Sequence, residues 1–237
     1  MTLPTVHSSL ISRGELGSTE AGAMYDLLTR HFVGVDRAGF EKDLGEKNWV
    51  LLIWKAAQLV GFSTLHVYEA RDEGTTLSVV YSGDTIVARE AWGTPELARA
   101  WIGAVKSLRA SAPEQKWYWL LLSSGFRTYR FLPVFWKNFC PRYDAAAPPD
   151  MARLLMRLAA ARFGRRFDPG TGLVRLEHPQ LLRPELSGIP AGRMKDPHIA
   201  FFAAQNPRFE AGDELVCLTE LSEENLTRAG RRIASRA

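Results

Sequence analysis

The stretch that decides the fold runs from Thr75 to Leu108 and reads TTLSVVYSGDTIVAREAWGTPELARAWIGAVKSL. Its first part, up to Val87, is rich in β-branched, aromatic and aliphatic residues, which predicts a strand. The triplet Ser82-Gly83-Asp84 interrupts this strand, and a glycine inside a good strand is typical of a bulge or of a close backbone approach. We therefore expect a strand with a local defect at Gly83.

A tight turn and a helix are predicted after the strand. Trp92-Gly93 supplies the turn, Thr94-Pro95 is typical of a helix start, and the residues that follow have amphipathic periodicity. The predicted helix has a bare N-terminus, where free N–H groups bind anions and most often phosphate. The stretch therefore predicts a fold unit and a phosphate-bearing cofactor, but it does not name a substrate.

Helices and strands are also predicted on both sides of this stretch, from apolar periodicity and capping residues. The predicted helices span residues 18–32, 36–46, 151–163 (capped by Asp150) and 197–202, and the predicted strands span residues 49–54, 59–68, 116–122, 172–177 and 213–221. Residues 178–195 are expected to be irregular, and the tail 222–237 is expected to be helical or frayed. Because no repeat or linker is evident, residues 1–237 are predicted to form a single domain.

Composition sets outer bounds on the function. The chain has 237 residues, of which 46% are hydrophobic, so that it can bury a substantial core. It has no apolar run near 18 residues, no secretory signal pattern at its start and two cysteines without metal-ligand spacing, which favours a cytoplasmic location. The net charge of +4 fits a polyanionic partner, such as a nucleotide cofactor, an acidic carrier protein or nucleic acid, and fits ordinary arginine usage equally well.

A dense aromatic and basic segment occupies residues 126–143. It has three interpretations: a surface that receives an acyl chain and a negatively charged carrier, a platform that stacks single-stranded nucleic acid, or a core flap whose arginine heads reach water. Nucleic acid is the least favoured partner, because the aromatic residues lie in a run that is predicted to pack.

The order of these elements, with a bulged strand that leads into a turn and a helix, resembles the GCN5-related N-acetyltransferase (GNAT) superfamily. The resemblance covers most of the chain and implies an α/β fold: a mixed central sheet flanked by helices, with the aromatic and basic segment as an insertion after a splayed strand and with a C-terminal extension. It also implies that two central strands part at the bulge and that the amide arm of a thioester lies in the gap as a surrogate strand.

The turn before the helix departs from the family pattern Arg/Gln-x-x-Gly-x-Gly/Ala. The chain has Arg89-Glu90-Ala91-Trp92-Gly93-Thr94-Pro95, which keeps one glycine and loses an N–H donor at Pro95. The sequence therefore leaves two possible acyl-group donors: a coenzyme A thioester, or an acyl group on the phosphopantetheine of an acidic acyl carrier protein.

The resemblance implies roles for individual residues. Asp84 would be the base or orienter, because a carboxylate beside an apolar wall has a raised pKa, and Tyr129 would be the acid. The alternatives are a side-chain bond from Asp84 that stabilises the bulge and a core position for Tyr129. The remaining catalytic candidates are Ser123 and Tyr81, and the cofactor-binding candidates are Val87, Arg89, Trp92, Gly93, Thr94, Ser124 and Arg127.

The expected activity is transfer of an acyl group from a thioester to an amine or another small nucleophile. Two alternatives stay open: a non-catalytic module that binds a lipid or a partner protein, and an enzyme of other thioester chemistry such as hydrolysis or decarboxylation. No metal site is expected, because none of the five histidines shares a ligand spacing with another histidine, a cysteine or a carboxylate. The expected partner is a small-molecule substrate, and the sequence has no signal for an oligomeric state.

Overall fold

The structure is a computed structural model that describes residues 6–236. The helices are α1 Ser18–His31, α2 Arg37–Gly45, α3 Glu96–Arg109, α4 Phe126–Tyr129, α5 Phe131–Phe135, α6 Pro149–Phe163, α7 Pro197–Gln205 and α8 Arg228–Ala234. The strands are β1 Val6–Ser12, β2 Phe32–Val33, β3 Trp49–Lys55, β4 Gln58–Asp72, β5 Thr75–Val87, β6 Lys116–Ser123, β7 Phe139–Cys140, β8 Phe167–Asp168, β9 Leu173–Val174, β10 Leu181–Leu182 and β11 Glu214–Glu220. None of these helices is long and apolar enough to cross a membrane.

The central sheet has the strand order β1-β3-β4-β5-β6-β11-β9-β8, and β7 also pairs with β11. All its pairs are antiparallel except β5 with β6, which are joined by a crossover through α3. Helix α6 packs on one face of the sheet, and α1, α2, α3, α7 and α8 pack on the other. The predicted fold class, a mixed α/β sheet flanked by helices, is confirmed.

The bulge expected in β5 is also confirmed. Ser82 pairs with Leu65 and Thr85 pairs with Ser63, so that Gly83 and Asp84 together oppose a single residue of β4. The parallel pairing of β5 with β6 ends at Ser82 and Leu121. The two strands therefore part at the bulge, as the resemblance implies.

Several predicted boundaries are corrected. Strand β1 was not predicted, because its sequence VHSSLIS is rich in polar residues, as suits an edge strand with one exposed face. Strand β9 has only two residues, and β4 continues to Asp72. Asp150 lies in the first turn of α6, whose N-cap residue is Pro148.

The segment 178–195, expected to be irregular, contains a strand, and the tail, expected to be helical or frayed, contains a helix. Strand β10, inside the segment 178–195, pairs with β2 in a separate two-stranded sheet. Helix α8 lies within the tail, where the Thr227 side chain accepts a hydrogen bond from the backbone N–H of Gly230, and Ile233 is buried in the core.

Candidate active site

A cavity of about 1080 Å³ lies where β5 and β6 part. Residues from both faces of the sheet line it. Tyr81 belongs to the α6 face, because its ring contacts Phe163 of α6 at a centroid distance of 5.8 Å. Ser82 points to the α3 face, where its Oγ accepts a hydrogen bond of 2.9 Å from Nε1 of Trp119. The cavity therefore passes through the sheet at the bulge.

One edge of β5 is open along this cavity. Residues Thr85, Ile86 and Val87 pair with β4 on one side, and no strand of the described residues pairs with them on the other. Backbone N–H and C=O groups at such an edge can bind an extended amide chain as an added strand. Because Nε1 of Trp92 donates a hydrogen bond of 2.8 Å to the carbonyl of Val87, that carbonyl already has a partner.

Asp84, the second residue of the bulge, lines the cavity. Among the hydrogen bonds of the described residues, none involves its carboxylate, so the structure gives no support to a bulge-stabilising side-chain bond. Burial raises the pKa of Asp84 to about 7 with a further contribution from the Asp43 carboxylate, whereas Lys47 acts in the opposite direction. A carboxyl group that titrates near neutral pH suits general acid–base work.

Glu214, at the start of β11, supplies a second carboxyl group, which was not among the residues predicted from the sequence. Leu215 pairs with Ser123, the last residue of β6, so Glu214 reaches the cavity where β6 ends. Burial raises its pKa to about 7, with further contributions from Asp84 and Asp43. The negative charge of Asp84 therefore makes ionisation of Glu214 less favourable.

An ion pair at the end of α2 supports the bulge. The side chain of Lys47 is fully buried, and its Nζ lies 2.7 Å from Oδ2 of Asp43. Gly83 is required here, because a Cβ at that position would lie 2.5 Å from Cε of Lys47 and 2.7 Å from Oγ1 of Thr64. The geometry of the bulge and the position of Lys47 are thus linked.

The α6 side of the cavity also holds a cation over an aromatic ring. The Arg162 guanidinium lies 4.3 Å from the ring centroid of Tyr81, and its Nη1 is 2.8 Å from Nδ1 of His66. Burial, together with the nearby Glu214 and Asp43 carboxylates, raises the pKa of Tyr81 well above its ordinary value. Tyr81 therefore keeps its phenolic proton at neutral pH.

The start of α3 forms another part of the wall. Pro95 is the N-cap residue, no side chain caps the helix, and Gly93 has φ +80°. The Thr94 hydroxyl donates to the carbonyl of Ala91 at 2.6 Å, so it is already bonded. The predicted bare helix start is thus present at the cavity, with the backbone N–H groups of its first turn free of intrahelical acceptors.

The structure brings most of the predicted residues together but not all. The predicted site residues that line the cavity are Tyr81, Asp84, Val87, Trp92, Gly93, Thr94, Ser124 and Arg127. Arg127 stacks its guanidinium 4.4 Å from the ring centroid of Trp92. Arg89 is exposed and is not part of the wall.

Ser123 and Tyr129 do not reach the cavity. Ser123 is fully buried with its Oγ 3.7 Å from Sγ of Cys217. The Tyr129 hydroxyl donates a hydrogen bond of 3.0 Å to the carbonyl of Pro141, and its ring packs against Phe202 at a centroid distance of 5.7 Å. Tyr129 thus has the core position that the sequence analysis weighed as its alternative.

The aromatic and basic segment folds inward as α4, α5 and β7. Leu132 and Trp136 are buried in the core, while Phe131 and Phe135 line the cavity. The segment is therefore packed into the core, as one of the three interpretations expects, and two of its phenylalanines form part of the cavity wall.

No family model matches the sequence, and no curated protein is similar to it in sequence. Solved structures similar to the chain include ElaA from Escherichia coli, at 16% identity and a TM-score of 0.40, covering 61% of this chain and 95% of that protein. A protein of unknown function from Enterococcus faecalis V583, described as a probable N-acyltransferase, is 11% identical with a TM-score of 0.43, covering 91% and 66%. The GNAT family N-acetyltransferase YhbS from Escherichia coli, in complex with CoA, is 19% identical with a TM-score of 0.40, covering 55% and 71%.

Proposed function

We propose that the protein transfers an acyl group from a thioester to an amine or another small nucleophile. The observation that supports this most is the open edge of β5 beside a cavity that has Asp84 at its bulge. An extended pantetheine arm bound along Thr85, Ile86 and Val87 would hold its thioester near that carboxyl group. Bringing donor and acceptor together in this way supplies much of the rate enhancement in acyl transfer.

The two carboxyl groups suit the proton transfers of this reaction. The acceptor nitrogen attacks the thioester carbonyl, a C–N bond forms, and the C–S bond then breaks. Ionised Asp84 accepts the proton that the nitrogen loses, and protonated Glu214 gives a proton to the departing thiolate. Because both pKa values lie at about 7, the pair supplies one base and one acid near neutral pH.

The donor is proposed to be a coenzyme A thioester. The bare start of α3 and the Arg127 guanidinium line the cavity and can contact its phosphate groups. The same groups suit the single phosphate of an acyl carrier protein, and that donor is tested in parallel.

Calorimetric titration with coenzyme A and thiol release from acetyl-coenzyme A over a panel of amines test the proposal. We expect coenzyme A to bind, and Asp84→Asn to lower kcat by about 100-fold or more at nearly unchanged affinity, because only proton transfer is lost. Asp168→Asn, on β8 and outside the cavity, is the control. Failure of any coenzyme A thioester or acyl carrier protein to bind would contradict the proposal.

Two outcomes would point to the alternatives. Thiol release at the same rate without any amine would indicate hydrolysis. Binding of a fatty acid without binding of coenzyme A would indicate a lipid-binding module.

A further inference from the structure

The two sides of the cavity differ in chemistry. On the α6 side lie the cavity's two carboxyl groups, Asp84 and Glu214, together with Tyr81, Arg162 and the apolar Phe163 and Leu176. On the α3 side lies an apolar space, which we call the aromatic chamber. Its walls are Leu97, Ala98, Trp101, Trp119, Phe131 and Phe135.

The aromatic chamber is rigidly built. The rings of Trp101 and Trp119 are 4.1 Å apart between centroids, and Phe131 meets Trp119 edge-on at 6.1 Å. Both tryptophans are almost fully buried, at 2% and 4% exposure. Contacts of this kind hold large side chains in one arrangement, so the chamber walls are preformed.

The aromatic chamber begins at the point where the strands part. The hydrogen bond of 2.9 Å from Nε1 of Trp119 to Oγ of Ser82 ties its wall to the residue before the bulge. Asp84 is two residues further along β5. A thioester carbonyl held at the bulge therefore has carboxyl groups on one side of the sheet and aromatic rings on the other.

The size of the cavity is a second argument. The whole cavity has a volume of about 1080 Å³, slightly above the range of roughly 300–1,000 Å³ that small-molecule sites occupy, and it has to hold the pantetheine arm and the acceptor as well as the acyl group. An acetyl group has one methyl carbon to place against these rings, and most of the apolar wall would then lack contacts. A longer apolar chain would cover it.

We propose that the acyl group of the donor is a medium-length apolar chain, larger than acetyl, which lies in the aromatic chamber while the acceptor approaches from the α6 side. This inference rests on the proposed function. It names the substrate class of the same site.

Titration with coenzyme A and with its acetyl, butyryl and octanoyl thioesters tests the inference. Affinity is expected to rise about two- to fourfold for each methylene buried, until the chamber is full. If coenzyme A itself does not bind, the proposed function fails. If coenzyme A binds and the acetyl and octanoyl thioesters bind equally tightly, only this inference fails.

Substitutions in the chamber wall distinguish the effect of the chamber on ligand binding from the effect of core packing in general. Ala98→Phe fills the chamber and is expected to weaken octanoyl-coenzyme A by about 10-fold or more relative to coenzyme A in the same variant, because any loss of phosphate contact at the first turn of α3 would affect both ligands equally. Phe135→Leu is expected to weaken octanoyl binding selectively, whereas Phe139→Leu, a buried phenylalanine outside the cavity, leaves the chain-length preference unchanged. An unchanged preference in Phe135→Leu, with a normal melting temperature, would overturn the inference even if Ala98→Phe does not fold.

Discussion

Lys47 and Gly83 are in such close contact that a Cβ at residue 83 would lie 2.5 Å from Cε of the lysine. The lysine side chain cannot retreat freely, because it is fully buried and paired with Asp43. The bulge that opens the sheet is therefore fixed by a contact with a residue far away in sequence.

The first prediction concerns Gly83→Ala. The added methyl group would collide with Lys47 and Thr64, so we expect a loss of about 1–3 kcal/mol in the free energy of unfolding. Urea denaturation with an unchanged m-value would measure it. Gly22→Ala in α1 is the matched control, because nothing lies within 4 Å of its Cβ position and alanine favours a helix. Equal stability of the two variants would refute the proposed contact.

The second prediction concerns the pKa of Asp84. The Asp43 carboxylate raises this pKa and Lys47 lowers it. Asp43→Asn removes a negative charge and leaves the lysine unpaired, so both effects lower the pKa of Asp84. The acid limb of a pH–rate profile should move to lower pH, and carboxyl NMR shifts of Asp84 should move with it. A limb that moves to higher pH would contradict this account.

The third prediction is a dependence of stability on pH. The folded-state pKa values of Asp84 and Glu214 are about 7, above the ordinary values of 3.8 and 4.5. The folded state therefore binds more protons than the unfolded state between about pH 4 and 7, so its stability falls as the pH rises through that window.

This pH dependence can be isolated with a double variant. The free energy of unfolding, measured by urea at pH 5, 6, 7 and 8, should fall more steeply in the natural chain than in Asp84→Asn/Glu214→Gln. The difference is expected to be of the order of 1 kcal/mol per pH unit. Parallel curves for the two proteins would show that these carboxyl groups have ordinary pKa values.

The fourth prediction concerns Tyr129. Its hydroxyl donates to the carbonyl of Pro141 and is not part of the cavity wall. Tyr129→Phe should therefore cost about 1 kcal/mol of stability, as for one lost hydrogen bond, and should leave the turnover rate within about twofold of the natural chain. If the variant were stably folded but its kcat fell about 100-fold, Tyr129 would instead be the general acid.

Local patterns in the sequence were enough to predict the unit around the bulge. The glycine at residue 83, the turn at Gly93 and the amphipathic helix that follows are short-range signals, and each is present where expected. Asp84 was found as a candidate because it adjoins Gly83. Predicting these residues required no knowledge of distant parts of the chain.

The rest of the site depends on contacts between distant segments. Glu214 lines the same cavity as Asp84 because β11 pairs antiparallel with β6, and no spacing in the sequence predicts that pairing. Tyr129 follows the splayed strand at a plausible distance, but its direction is set by packing against Phe202 of α7. Sequence spacing places a residue on an element, whereas tertiary packing decides where its side chain points.

Because residues on both faces of the sheet line the cavity, two reactants could bind it at the same time from opposite faces. If the acyl donor occupies the aromatic side and the nucleophile arrives from the α6 side, neither has to leave before the other enters. Initial-rate plots at several fixed concentrations of each reactant should then intersect, as for a ternary complex. Parallel lines, which signal a covalent acyl-enzyme, are not expected from this architecture.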